Sequence, residues 1–232
     1  MFFRLALGIS LACAGAVAVK SVVLAGPAAP IGPAYTTEKI QDMLSSPVLP
    51  TGLHLIDKQQ AFANVANAMN TNGNAQQNSH TGYSVELYEP AAWLGKKRAT
   101  ASKEFKTFGI EDVDDRDRLP ALRVHVSPDT PFVVTAAGTR NSHSVEHVVL
   151  RSVDKLVVVQ PVSIEETTSP VQNGFGAKLL YTGATAMFSL EDLEKVRAGS
   201  PEREFFVTIV GQGRGANRDF RVKQKHFQML GD

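Results

Sequence analysis

From Leu119 onward the chain is a succession of short apolar or alternating segments separated by turn residues, and this rhythm constrains the fold more than any other feature. Leu122, Val124 and Val126 alternate with Arg123 and His125, and a short segment from Phe132 follows a Pro-Asp-Thr-Pro turn. Val145 to Leu150 and Leu156 to Val159 are apolar runs on either side of a polar turn, and Ala177 to Thr182 and Ala184 to Phe188 flank Gly183. Phe205, Val207 and Ile209 alternate with Phe206, Thr208 and Val210, which predicts a strand buried on both faces. Phe220, Val222, Gln224 and His226 alternate with Arg221, Lys223 and Lys225. Successive side chains of a strand point to opposite faces. Many short strands at near-regular spacing predict a sandwich or a barrel.

One helix interrupts the strands. Ser189-Leu190-Glu191-Asp192 resembles a capping box with Asp in the place of the usual Glu or Gln. Leu190, Leu193 and Val196 share its inward face, Gly199 ends it and Pro201 prevents continuation. A short helix crossing between two sheets suits an immunoglobulin-like sandwich, although the tyrosine corner and the Cys–Trp–Cys pattern of antibody domains are missing. The expected class is therefore α+β, mainly β, with a C-terminal immunoglobulin-like antiparallel β-sandwich over 117–232 and a smaller helix/strand region over 53–116.

Within that smaller region, Phe62, Val65, Ala66 and Met69 form one apolar stripe of a helix opened by Asp57. The polar run from Asn70 to His80 reads as a mobile loop. Tyr83 to Tyr88 alternates as a strand, and Pro90 opens a second helix that runs to Phe105. Phe108 to Val113 is expected as another short strand. Residues 26–52 carry Pro27, Pro30, Pro33, Pro47 and Pro50 and read as a tether with one helical turn near Thr37 to Leu44.

Arg4, the apolar run Leu5 to Val19 and the small residues around Val23-Leu24-Ala25 have the order of a secretory signal over 1–25. The expected cut precedes Gly26, and the competing reading is an uncleaved anchor over residues 5–24, interrupted by Lys20. Cys13, the only cysteine, lies within this segment. A mature chain without cysteine has no thiolate chemistry and no disulfides, so its core must stand alone. With 24 basic and 23 acidic residues the chain shows no global pull toward nucleic acid or anionic membrane. The expected location is the periplasm or the exterior.

Three site signals remain. His143 and His147 have the spacing of metal ligands on a helix, but on a strand four residues separate them by about 13 Å. A metal site would need His125, His226 or Glu146 to complete the set. Asp112 and Asp114 belong to the acidic run Glu111 to Asp117, which lacks the spacing of a calcium loop and reads first as a solvated turn. Arg214, Arg218, Arg221, Lys223 and Lys225 form a basic stripe on and before the last strand, suited either to an anionic polymer or to blocking edge pairing. Gly211 to Gly215 reads as a hairpin turn, and Ser152-Val153-Asp154-Lys155 sits in a turn without the companion motifs of serine–lysine enzymes.

The expectation is an exported, non-catalytic binding or scaffolding protein of the bacterial envelope. Its partner would be an envelope protein or polymer, not nucleic acid, and it would meet the membrane only through an uncleaved signal. No cofactor is expected. The rival expectation is a metal-dependent enzyme or metal-binding protein using His, Asp and Glu ligands.

Overall fold

The structure, a computed structural model, describes residues 23–24, 29–56, 83–128, 132–133, 145–172, 178–211 and 217–227. Two sheets face each other. The first has the order β1 (Val23–Leu24), β7 (Val157–Val159), β6 (Val145–Ser152), β10 (Phe205–Gly211), β11 (Arg218–Val222). The second has the order β2 (Leu53–Ile56), β3 (Tyr83–Tyr88), β4 (Ala121–Pro128), β9 (Lys178–Ser189), β5 (Phe132–Val133), with β8 (Ser163–Gln172) on the other side of β9. Pairing is antiparallel except for β1, which runs parallel to β7. The protein is thus mainly β with two antiparallel sheets and three α-helices among the described residues: α1 (Thr37–Ser45), α2 (Pro90–Lys103) and α3 (Leu190–Ala198).

The alternation read from the sequence explains which faces meet. Val85 and Leu87 of β3, Leu122, Val124 and Val126 of β4, and Ala186 and Phe188 of β9 point inward from one sheet. Val148 and Leu150 of β6, Phe205, Val207 and Ile209 of β10, and Phe220 and Val222 of β11 point inward from the other. These residues form one continuous core, closed at one end by Leu193 and Val196 of α3. The expected boundary at 116/117 falls between β3 and β4, which are hydrogen-bonded neighbours from Tyr83↔Pro128 to Tyr88↔Arg123.

Local signals place the helices. Pro90 begins α2, where its missing N–H costs nothing. Ser189 caps α3 through its Oγ, which accepts from the Asp192 N–H at 3.0 Å. Asp192 does not reach back to Ser189. Its buried carboxylate accepts instead from the Ala29 N–H at 2.8 Å and from Lys195 at 3.0 Å. Arg197, 2% exposed, lies over the Phe227 ring at 4.2 Å and ties the chain's last described residue to α3.

Several expectations change. Residues 29–52 do not stand off as a tether: Ile40 of α1 is fully buried in a second apolar cluster with Leu94 of α2 and Val113, and the Tyr35 N–H donates to the Arg118 carbonyl at 2.8 Å. Proline density marks an irregular path, which here is laid onto the domain by the apolar face of α1. The strand expected over Phe108 to Val113 is a 3-10 turn at Ile110–Asp112, because the Asp112 carboxylate accepts from the Gly109 N–H and closes the turn. The final strand ends at Val222, and Gln224–His226 is a 3-10 turn. In β10, Phe205, Val207 and Ile209 are fully buried, while on the other face Thr208 is buried and bonded to Asp219 and Phe206 and Val210 are half-buried, so only one face joins the apolar core. Strands β1, β2 and β8 have no counterpart in the sequence expectations, which placed Val23 and Leu24 of β1 in the leader. The helix expected from Asp57 and the loop over 70–80 lie outside the described residues.

Candidate functional site

The outer face of the second sheet carries a polar row across five strands. His54 faces Glu86, Glu86 faces His125, His125 faces Thr185, and Thr185 faces Glu165. Helix α2 lies over one end of this face, and the chain from Leu49 to Thr51 passes beside it. Between them opens a cleft of about 540 Å³ lined by Glu86, Tyr88, Lys96, Arg98 and Lys103, with Leu49 and Pro50 on the opposite wall.

Close backbone approach shapes the cleft. A Cβ on Gly95 would stand 2.7 Å from the Pro50 carbonyl oxygen and 3.0 Å from the Leu49 Cβ, so glycine lets α2 and the loop touch. Gly52, at φ +78°, turns the chain into β2 in a conformation that other residues rarely adopt. Arg98 fastens the end of α1, just ahead of this loop, to α2 by donating to the carbonyls of Leu44 and Ser46 at 3.3 and 3.5 Å.

Glu86 is the carboxylate of this cleft, and its oxygen is occupied. Tyr88 Oη and Lys96 Nζ both donate to Oε2 at 2.8 Å, and the same ammonium lies 4.5 Å from the Tyr88 ring centroid. Burial alone would raise the Glu86 carboxyl. The hydrogen bonds from Lys96 and Tyr88 and the positive charge of Lys96 outweigh burial and hold it below its ordinary value. Tyr88 is pushed far above its ordinary value by burial and by the Glu86 carboxylate. The cleft therefore presents Arg98 and Lys103 beyond a neutralised Glu86–Lys96 pair.

Behind the cleft lies a rigid support. Trp93 meets Tyr88 edge-on at 5.7 Å and donates from Nε1 to Asp117 at 2.7 Å. Asp117, 3% exposed, also accepts from Lys97. Arg123, equally buried, donates to the carbonyls of Ala121 and Arg116 at 3.2 and 2.6 Å and lies 5.3 Å from the Trp93 ring. Burial lowers the Arg123 guanidinium to about 10, so it stays charged at neutral pH.

The residues singled out from the sequence are dispersed. Asp112 caps its own turn. Asp114 accepts from the Asp117 N–H at 2.8 Å and from Lys97 at 3.3 Å. Burial raises the Asp114 carboxyl, but backbone amides and Lys97 hold it below its ordinary value. His147 is exposed on β6 opposite Val210, and His143 lies outside the described residues. His125 accepts or donates to Thr185 at 2.9 Å and Ser127 at 3.1 Å, and His226 Nδ1 accepts from the Lys223 N–H at 3.1 Å. Among the described residues no three His, Cys, Asp or Glu side chains come together as a metal-holding group.

The basic stripe is not one surface. Arg218 and Arg221 are three residues apart on β11 and so point to opposite faces. Arg221 is held by Glu204, with Nε–Oε2 at 2.7 Å. Lys223 and Lys225 lie beyond the strand, and Arg214 lies outside the described residues. Sequence reading missed Glu86, Tyr88, Lys96, Arg98 and Lys103 as a group. The signal was present in Lys96-Lys97-Arg98, but only the β3–α2 packing reveals which cations share a wall. It also missed the exposed contact between His54 Nε2 and Ser84 Oγ at 2.6 Å on β2 and β3.

Comparison with protein-family models, with curated proteins and with solved structures returns no match.

Proposed function

We propose that this chain is an exported, non-catalytic binding or scaffolding protein of the bacterial envelope, and that the cleft between α2 and residues 49–51 receives a carboxylate-bearing partner. The observation that carries this reading is the charge inside the cleft. Lys96, Arg98 and Lys103 line it, and the opposing carboxylate, Glu86, is already held by Lys96 and Tyr88. An incoming anion meets cations whose own carboxylate competitor is spent. The titration of the cleft supports holding rather than proton transfer: Glu86 lies below its ordinary value and Tyr88 above, so neither exchanges a proton near neutral pH.

Export rests on the segment 1–25 and the expected cut before Gly26, and intact mass of envelope-fraction protein distinguishes cleavage from an anchor. The immunoglobulin-like arrangement stays a proposal about architecture, supported by two antiparallel sheets that share one core.

Retention on immobilised poly-L-glutamate tests the cleft. Lys103→Glu should weaken retention, and Lys223→Glu should leave it unchanged. The opposite pattern would move the anion site to the end of β11. Loss of retention should track salt, since exposed charges are screened over about 10 Å at 0.1 M ionic strength.

A further inference from the structure

We infer that His125 tunes the anion cleft: a proton taken up by its imidazole adds a positive charge beside the Glu86–Lys96 pair and tightens the hold on a carboxylate-bearing partner in mild acid. The inference rests on the proposed reading of the cleft and adds its regulation. His125 and Glu86 are direct partners across β3 and β4 and share the outer face of the second sheet. Glu86 lines the cleft and holds Lys96, which lines it too. His125 therefore sits one strand from the cleft wall, in the field of both charges.

The partners of the ring suit a change of charge. Nδ1 lies 2.9 Å from Thr185 Oγ1, and Nε2 lies 3.1 Å from Ser127 Oγ. A hydroxyl both donates and accepts. The neutral ring donates to one hydroxyl and accepts from the other, and the cationic ring donates to both, so it keeps its place in either state. The charged groups facing the ring are Glu86 of β3 and Lys96 of α2, which offset each other. Beyond Thr185, Glu165 of β8 is paired with Arg116. Along β4, Arg123 is spent on the carbonyls of Arg116 and Ala121. Across Glu86, His54 of β2 is exposed and bonded to Ser84. Burial and Lys96 lower the imidazole from its ordinary 6.5 while Glu86 raises it, so the charge appears in mild acid. Glu86 stays ionised there and Tyr88 stays protonated, so the wall of the cleft keeps its charges while His125 gains one. An anion brought to the cleft offsets the repulsion between Lys96 and a protonated His125. By linkage, anion and proton then favour each other's binding by the same factor.

Binding of soluble poly-L-aspartate to the full chain at low salt tests this, since aspartate carboxyls, with an ordinary value of about 3.9, stay ionised at about pH 5. From about pH 7.5 to about pH 5 the affinity of the wild type should rise at least about threefold. His125→Asn should lose that rise, while His54→Asn and His147→Asn, the latter on the other sheet, should keep it. Proton NMR of the wild type needs no substitution. Saturating poly-L-aspartate should raise the titration midpoint of His125 by at least about half a pH unit, the same threefold by linkage, and leave that of His147 in place. An equal affinity at the two pH values, a rise that survives in His125→Asn, or a His125 midpoint that the polymer does not move overturns the proposal. A chain that binds the polymer at neither pH overturns the cleft reading itself, whereas one that binds equally at both leaves the cleft standing without its tuning.

Discussion

The Asp192 carboxylate accepts a 2.8 Å hydrogen bond from the backbone N–H of Ala29, 163 residues earlier in the chain. Asp192 is the third residue of α3, where negative charge also complements the helix terminus. One buried side chain in the first turn of α3 thus pins the segment that follows the expected leader. Asp192→Ala leaves the Ala29 amide without its acceptor, and hydrogen bonds to charged groups contribute about 1.5–3 kcal/mol. The expected outcome is a loss of that size in chemical denaturation, with faster hydrogen exchange at Ala29 than in the wild type. Unchanged exchange at Ala29 would show that the segment is held by other contacts.

Phe105 gives a prediction of opposite sign. The Phe105 and Lys106 amides donate to the carbonyls of Ser102 and Ala101 at 3.1 and 2.9 Å, the pattern of a Schellman cap. Phe105 holds the left-handed position at φ +58°, where glycine is usual, and its side chain is fully exposed. Phe105→Gly should raise stability by about 1 kcal/mol, since a side chain in this region costs about 1–2 kcal/mol and the added flexibility of glycine offsets part. The thermal midpoint reads it. A fall would mean that the ring makes contacts in solution that stabilise the fold.

Gly95 sets two local rules against each other. Helix propensity favours Gly95→Ala by about 1 kcal/mol. Its Cβ would stand 2.7 Å from the Pro50 carbonyl oxygen, which is backbone and cannot swing aside as a side-chain tip can. The clash should win, with lower stability and weaker retention on poly-L-glutamate as the loop is displaced. Higher stability with full retention would show that the loop yields at no cost.

How much was legible follows from where each signal lives. Period-two alternation is a local property, so β3, β4, β6, β9 and β10 could be read from residues such as Val85, Leu122 and Val207. Strand β8 could not, because Glu165 and Glu166 stand side by side and Pro170 interrupts the run; its pairing is imposed by β9. Helix α1 was visible, but Ile40 looks the same on a tether as in a core. The cleft was invisible because Glu86, Arg98 and Leu49 belong to three elements whose approach depends on packing. The paired histidine spacing shows the same limit: distance along the sequence becomes distance in space only once strand or helix is known, and His143 lies outside the described residues.

Phe205 and Phe206 separate core from half-buried surface within one strand. Both read as core from the sequence, yet Phe205 is fully buried among the two sheets and Phe206 is only half-buried. Phe205→Ala should cost about 3–5 kcal/mol, a large fraction of the roughly 5–15 kcal/mol that holds a domain. Phe206→Ala should cost clearly less. Denaturation midpoints compare the two, and equal losses would show that the outer face of β10 is covered in solution.

Stability against pH should fall in two stages on the acid side. Burial, helped by the charge of Lys96, pushes the His125 imidazole below its ordinary value of 6.5. As pH drops below 6.5 the unfolded chain takes up a proton that folded His125 refuses, so stability declines from there down to the lower folded value. His226 is lowered too and titrates in the same window, so the His125 share is the difference between wild type and His125→Asn. Glu86 acts at lower pH. Its folded carboxyl lies below the ordinary 4.5 despite burial, because Lys96 and Tyr88 hydrogen-bond the ionised form. That stabilisation is fully present above 4.5 and is lost as pH falls through the depressed folded value. Asp114 is depressed as well and loses its share in the acid range below its ordinary 3.8. Urea midpoints measured from neutral pH down to about 3 should therefore show an upper slope that flattens in His125→Asn and a lower slope that flattens in Glu86→Gln. A Glu86→Gln protein whose lower slope matches the wild type would mean that Lys96 releases Glu86 in solution, and the cleft would then offer an incoming anion a repelling carboxylate instead of a neutralised one.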